Sequence, residues 1–194
     1  EIRLSLVGSE MCIRDRLYIL GMSNRSAKLA AQRGLPFVIA RMGQSETDLH
    51  EAISTYRKYF KAYHGEINNA KPYVILATFV VTASNLSRVK QLLHTLQLWL
   101  MRINYLNQPK SYPSIETAQN KHYSQRELEK LEKMKSKIIY GMPNDVAEQL
   151  TLLHQQFKVD EILILPHVFG EDARMELIEL IANELISSYS RDEF

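Results

Sequence analysis

Residues 17–36, LYILGMSNRSAKLAAQRGLP, decide how this chain reads. The apolar run Leu17 to Leu20 predicts a buried strand, which passes through Gly21, Met22 and Ser23 into a short helix predicted over Ser26 to Arg33. Gly34 stands where a helix ends in a left-handed residue, and Pro36 lies just beyond. A strand, a polar turn and a helix start in that order can bring backbone N–H groups and the hydroxyls of Ser23 and Ser26 together on an anion.

The same alternation continues along the chain. Phe37 to Ala40 is a second apolar run. Ser45 then caps a helix whose apolar positions Leu49, Ala52, Ile53, Tyr56 and Phe60 keep helical spacing. Tyr73 to Thr82 is β-branched and continuous, as in a strand buried on both faces. Leu86, Val89, Leu93, Leu96 and Leu100 mark the next helix. Residues 104–122 hold tyrosines and two prolines without sustained period and read as a surface excursion. Ser124 and Glu127 have capping-box spacing and open a charged helix through about Lys137. Pro143 and Asp145 open another, with Val146, Leu150, Leu153 and Phe157 as its apolar stripe. Ile162 to Leu165 is the last predicted strand, and a final helix follows from about Glu171 to Ile186.

Four strands alternating with helices imply an α/β fold with parallel pairing through right-handed crossovers. A closed eight-stranded barrel takes about 250 residues, whereas a small open sheet needs only four or five strands. Periodicity alone leaves half a barrel and an open sheet both standing.

The chain has 194 residues, 45% of them apolar, and a net charge of +2 with its basic residues spread, which gives no reason to expect nucleic acid. No apolar run approaches the roughly 18 residues of a membrane helix. Cys12 is the only cysteine and allows no internal disulfide, so the expectation is a soluble cytoplasmic protein. Residues 1–16, EIRLSLVGSEMCIRDR, change character abruptly at Leu17 and resemble the translation of a sequencing adapter, the alternative being an ordinary short strand and turn. They are set apart from residues 17–194, and Cys12 goes with them.

Four patterns carry a family resemblance. They are LYILGMSNRSAKLAAQRGLPFVIA, PYVILATFVVTAS with its helix, GMPNDVAEQLTLL, and KVDEILILPHVFG before the last helix. In order and spacing they resemble the C-terminal half of the bacterial luciferase-like flavin-dependent monooxygenases, particularly the short single-chain branch. The resemblance implies the C-terminal half of a (β/α)8 TIM-like barrel, with four parallel strands matching strands five to eight and helices outside. It also implies a parent enzyme that uses reduced flavin, FMN, and dioxygen on a small organic substrate, with a homodimer for the full-length protein. This half alone is then expected to be inactive, because much of the flavin-ring contact falls on the absent first half. FMN and a deazaflavin both stay open as cofactor. Two other readings remain: a non-catalytic flavin-binding barrel subunit, and a small α/β module for a phosphorylated ligand.

By the same resemblance the turn after the first predicted strand helps to hold the flavin phosphate. Ser23 and Ser26 match its hydroxyl positions, the backbone of Met22 lies beside them, and Gly21 permits close approach. Met22 stands where relatives place a carboxylate, which leaves its N–H as the donor. The alternative is that Ser23 and Ser26 simply cap the helix. Arg41 could face the flavin or be a solvated loop charge. His167 follows the last strand, where barrel chemistry gathers, and is otherwise a hydrogen-bonded loop residue. His50, His64, His94, His122 and His154 show no metal spacing. Tyr105, Tyr112 and Tyr123 suit either a lid or a local aromatic cluster. No catalytic residue is singled out, because in such enzymes the cofactor carries the oxygen chemistry while the protein binds, orients and excludes water.

Overall fold

The structure is a computed structural model and describes residues 17–64, 71–103 and 111–189. The segment 1–16 and Tyr105 lie outside the described residues, as does the side chain of His64. The chain divides into two compact units, Glu1–Ala77 with Phe157–Glu161, and Thr78–Gln156 with Ile162–Phe194.

In the first unit β1 (Ile19–Gly21) leads into α1 (Asn24–Arg33), then β2 (Phe37–Ala40), α2 (Glu46–His64) and the start of β3 (Val74–Thr82). β1 pairs parallel with β2, Ile19 opposite Phe37, and β2 pairs parallel with β3, Phe37 opposite Val74. α1 stops at Gly34, whose φ of 64° lets its N–H reach the carbonyls of Ala30 and Ala31. The buried face of α1 is Ala27, Ala30 and Ala31, small enough for the helix to pack closely on α2. α2 opens on a reciprocal cap in which Asp48 N–H donates to Ser45 Oγ at 3.1 Å and Ser45 N–H donates to Asp48 Oδ2 at 3.1 Å. Leu49, Ala52, Ile53, Tyr56 and Phe60 are all buried, as their spacing predicts.

In the second unit β3 continues through Thr82 and is followed by α3 (Leu86–Arg102), α4 (Ile115–Gln119), α5 (Gln125–Lys135), β4 (Ile139–Gly141) and α6 (Pro143–Phe157). β5 (Glu161–Leu165) and α7 (Glu171–Tyr189) complete the described chain. Asn85 Oδ1 caps α3 by accepting from Arg88 N–H at 2.9 Å. Ser124 and Glu127 form the expected capping box at the start of α5. Thr82 Oγ1 donates to the Gly141 carbonyl at 2.8 Å, which satisfies the buried hydroxyl across the β3–β4 pair.

The four expected strands are present, and β1, β2, β3 and β5 neighbour one another in that order, β5 pairing with β3. β4 was not foreseen, and it pairs parallel with Val80–Thr82. α4 also went unforeseen inside the predicted excursion. Two burial expectations are corrected. Leu17 and Leu20 are 51% and 67% exposed, because within the described residues β1 has a strand neighbour on one side only. Leu86 is 56% exposed because it lies on the solvent side of the first turn of α3.

Candidate anion-binding turn

The chain leaves β1 at Gly21 and enters α1 after Ser23, whose extended backbone (φ −144°, ψ 162°) makes it the N-cap. Ser23 N–H donates to Ser26 Oγ at 3.2 Å, and Ser26 Oγ donates to the Ser23 carbonyl at 2.8 Å. Ser26 N–H leans on Ser23 Oγ at 3.4 Å, and the two hydroxyls are 3.3 Å apart. The structure therefore brings both predicted serines together, as a capping box. Ser26 is half-buried with its hydroxyl proton engaged, whereas Ser23 is exposed and can direct its own proton outward.

Around this turn lies a groove of about 650 Å³ lined by Ser23, Asn24, Arg25, Ser26 and Lys28, among others. The first turn of α1 holds no acidic residue, so Arg25 and Lys28 add positive charge to the partial positive charge of the helix start. Lys28 Nζ also rests 5.0 Å from the centre of the Tyr59 ring. The main-chain N–H groups of a helix's first turn have no partner within the helix; here that of Ser26 meets Ser23 Oγ, and Asn24 and Arg25 line the groove. Arg25 and Lys28 escaped the sequence reading, although their spacing of three on one helix start was the available signal.

Gln44 fixes the turn from the end of β2. Its Nε2 donates to the Ala40 carbonyl at 2.9 Å and to the Met22 carbonyl at 3.4 Å. Its Oε1 accepts from the N–H groups of Met42 and Gly43 at 3.2 and 3.0 Å. One side-chain amide thus ties the end of β1 to the end of β2. Asn24 makes a second tie, donating to Glu51 Oε1 at 2.6 Å while its own Oδ1 is buried without a partner.

The other candidates separate by surroundings. Arg41 is half-buried and its pKa is lowered, chiefly by desolvation against an opposing pull from Glu46. His50 stacks on Phe157 with ring centres 4.4 Å apart, and His94 sits beside Tyr123. Among the described residues no group of three or more His, Cys, Asp or Glu could hold a metal ion, and no helix is long and apolar enough to cross a membrane. His167 is embedded among Phe79, Trp99 and Tyr112, and Tyr112 Oη donates to its carbonyl at 2.7 Å. Trp99 as its partner was invisible to sequence reading, because nothing local links α3 to the loop after β5.

Comparison with known proteins agrees on the architecture. The family model for luciferase-like monooxygenase matches residues 7–158, beginning inside the amino-terminal segment set apart above. An uncharacterised protein of Bacillus subtilis, YceB, is 26% identical over 166 residues, covering 86% of this chain and 49% of its own length. A luciferase-like monooxygenase of Escherichia coli is 26% identical over 164 residues, covering 84% of this chain and 48% of its own. Among solved structures, apo-MsnO8 has a TM-score of 0.70 at 23% identity, over 87% of this chain and 50% of its own. The monooxygenase RslO1 from Streptomyces bottropensis has a TM-score of 0.56 at 15% identity, over 90% of this chain and 48% of its own. The chain therefore spans about half the length of the curated relatives it matches. Its fold is part of a TIM-like (β/α)8 barrel, and the chain belongs to the luciferase-like monooxygenase family.

Proposed function

We propose that residues 17–194 are the C-terminal part of a flavin-dependent monooxygenase acting on a small organic substrate, and that residues 1–16 are adapter-derived. The cofactor in this reading is reduced flavin, FMN, held by its phosphate at Gly21, Met22, Ser23 and Ser26. The observation that carries it is the groove at the start of α1, where an exposed serine hydroxyl at the helix N-cap shares walls with Arg25 and Lys28. A dianion fits that donor set, and a neutral ligand would leave the Arg25 charge unanswered. A structural neighbour named flavoprotein 390 has a TM-score of 0.57 at 17% identity, and other neighbours are named monooxygenases, which supports the reading at the level of fold.

The flavin, when bound, supplies the oxygen chemistry. This chain's part is to hold and orient. Ser23 Oγ and the first-turn N–H groups would take phosphate oxygens, with the N–H of Met22 at the mouth of the turn. Ser26 would act mainly by shaping the turn, since its hydroxyl proton is engaged with the Ser23 carbonyl. Gln44 would keep the Met22 peptide oriented.

The test compares FMN with riboflavin in the full-length protein, wild type against Ser23→Ala with Ser26→Ala. A hydrogen bond to a charged group is worth about 1.5–3 kcal/mol. FMN affinity should therefore fall at least about tenfold, which needs about 1.4 kcal/mol. Riboflavin lacks the phosphate and should bind both proteins nearly equally. Equal losses for the two flavins would reduce the serines to structural caps and remove the phosphate assignment.

A further inference from the structure

In the second unit a cleft of about 460 Å³ is framed by Trp99, Tyr112, His167, Gly170 and Arg174. It shares no residue with the groove at α1 and rests on none of the flavin reading. Trp99 comes from the last turn of α3, Tyr112 from the chain before α4, His167 from just past β5, and Arg174 from the first turn of α7.

Aromatic side chains make up much of its lining. The His167 ring lies 4.0 Å from the centre of Trp99 and is edge-on to Tyr112 at 5.3 Å. Trp99 and Tyr112 are stacked at 5.7 Å with 27° between their planes. Large rigid rings of this kind favour a flat aromatic guest, which loses little freedom on binding.

Two polar groups beside the cleft have no partner among the described residues. His167 Nε2 is buried and makes no hydrogen bond, a state that native folds seldom leave without a reason. The Arg174 side chain is exposed and makes no ion pair among the described residues. A guanidinium selects a planar carboxylate by its two-pronged geometry, and an imidazole nitrogen selects a hydroxyl, which can both donate and accept. Gly170, with φ of 95° and nothing within 4 Å of where a Cβ would stand, leaves open space on its side of the rim. The volume falls in the range of small-molecule sites.

We propose that this cleft binds a hydroxylated aromatic carboxylate, with its ring against Trp99 and Tyr112, its carboxylate on Arg174 and its hydroxyl on His167 Nε2. Nε2 is closed to solvent, so the guest's hydroxyl reaches it only if the Tyr112 ring, edge-on to the imidazole and held through its Oη by the His167 carbonyl, shifts with the guest stacked on it.

Trp99 is the only tryptophan in the chain, so its indole N–H resonance reports on this cleft alone. The chain carrying Leu20→Lys, which removes an exposed apolar side chain of β1 far from this cleft in sequence, is titrated with 4-hydroxybenzoate, benzoate and 4-hydroxybenzamide. The expected result is a saturable shift with 4-hydroxybenzoate at a Kd of about 1 mM or tighter, and binding of the other two weaker by about tenfold or more. Arg174 is exposed, and Arg174→Gln should leave the fold intact while erasing the preference for the acid over the amide. Arg174→Lys should restore part of that preference. Absence of a saturable shift, equal binding of the three probes, or an unchanged preference in Arg174→Gln would each overturn the proposal.

Discussion

Gly21 and Ser26 approach so closely that a Cβ on Gly21 would stand 2.1 Å from Ser26 Oγ and 2.2 Å from Ser26 Cβ. Rotating the serine relieves the first contact but not the second. Glycine is therefore required here by the capping serine packed against it. Gly21→Ala should destabilise the fold by about 1–3 kcal/mol in urea unfolding, as overpacking does. Ser26→Gly should recover much of that loss in the double variant, and Ser26→Ala should not, because its Cβ stays in place. Equal rescue by both would show that the strain lies elsewhere.

The exposed face of β1 has its own consequence. Tyr18 and Leu20 are 49% and 67% exposed beside an edge strand whose only described strand neighbour is β2. Exposed apolar edges pair or stick. The chain expressed alone should sediment as associated species, and Leu20→Lys should shift it toward smaller ones. A monodisperse wild-type monomer would contradict this.

What could be read from the sequence was local, or long and uniform. All nine residues of β3 are buried, and a continuous β-branched run announces that state without help from distant residues. The caps at Ser23, Ser45 and Ser124 were legible because a cap and its partner lie three residues apart. β4 was not legible, since its three residues become a strand only by pairing with Val80–Thr82. The exposure of Leu20 was hidden for the same reason, because a run such as LYIL reads alike whether one flank is covered or two. In the candidate site the serines could be found by spacing. Their mutual hydrogen bonds, the clamp of Gln44 on Met22 and the tilted contact of Trp99 with His167 follow from tertiary placement that composition does not encode.

Tyr56 is fully buried, and its hydroxyl joins two segments of the first unit. It donates to the Leu35 carbonyl at 3.0 Å and accepts from Tyr73 N–H at 3.2 Å. Tyr56→Phe keeps the ring packing against Phe37 and Phe60 but leaves a carbonyl and an N–H unanswered. The expected cost is about 1–3 kcal/mol, with faster hydrogen exchange at Tyr73. A loss of only a few tenths would mean that water replaces the hydroxyl.

The ring of Trp99, in contact with His167, can follow the titration of that imidazole. His167 titrates below its ordinary value of 6.5, first because burial disfavours the imidazolium and second because the Arg174 charge repels it. Above that value the folded and unfolded chains both carry a neutral ring, so the contribution to stability is fully present. As the pH falls below 6.5, the unfolded chain takes up a proton that the folded chain resists, and that contribution drains away until the lower folded value is passed. Stability from urea unfolding should therefore decline from near neutrality downward. His167→Phe keeps a ring in place without a titrating group and should remove that component of the decline. With the imidazole 4.0 Å from its indole, Trp99 fluorescence should change with a midpoint below 6.5 in the folded protein, and the change should vanish in His167→Phe. A midpoint at or above 6.5 would mean that the imidazole is solvated or paired with an anion, and that its Nε2 is not an orphan.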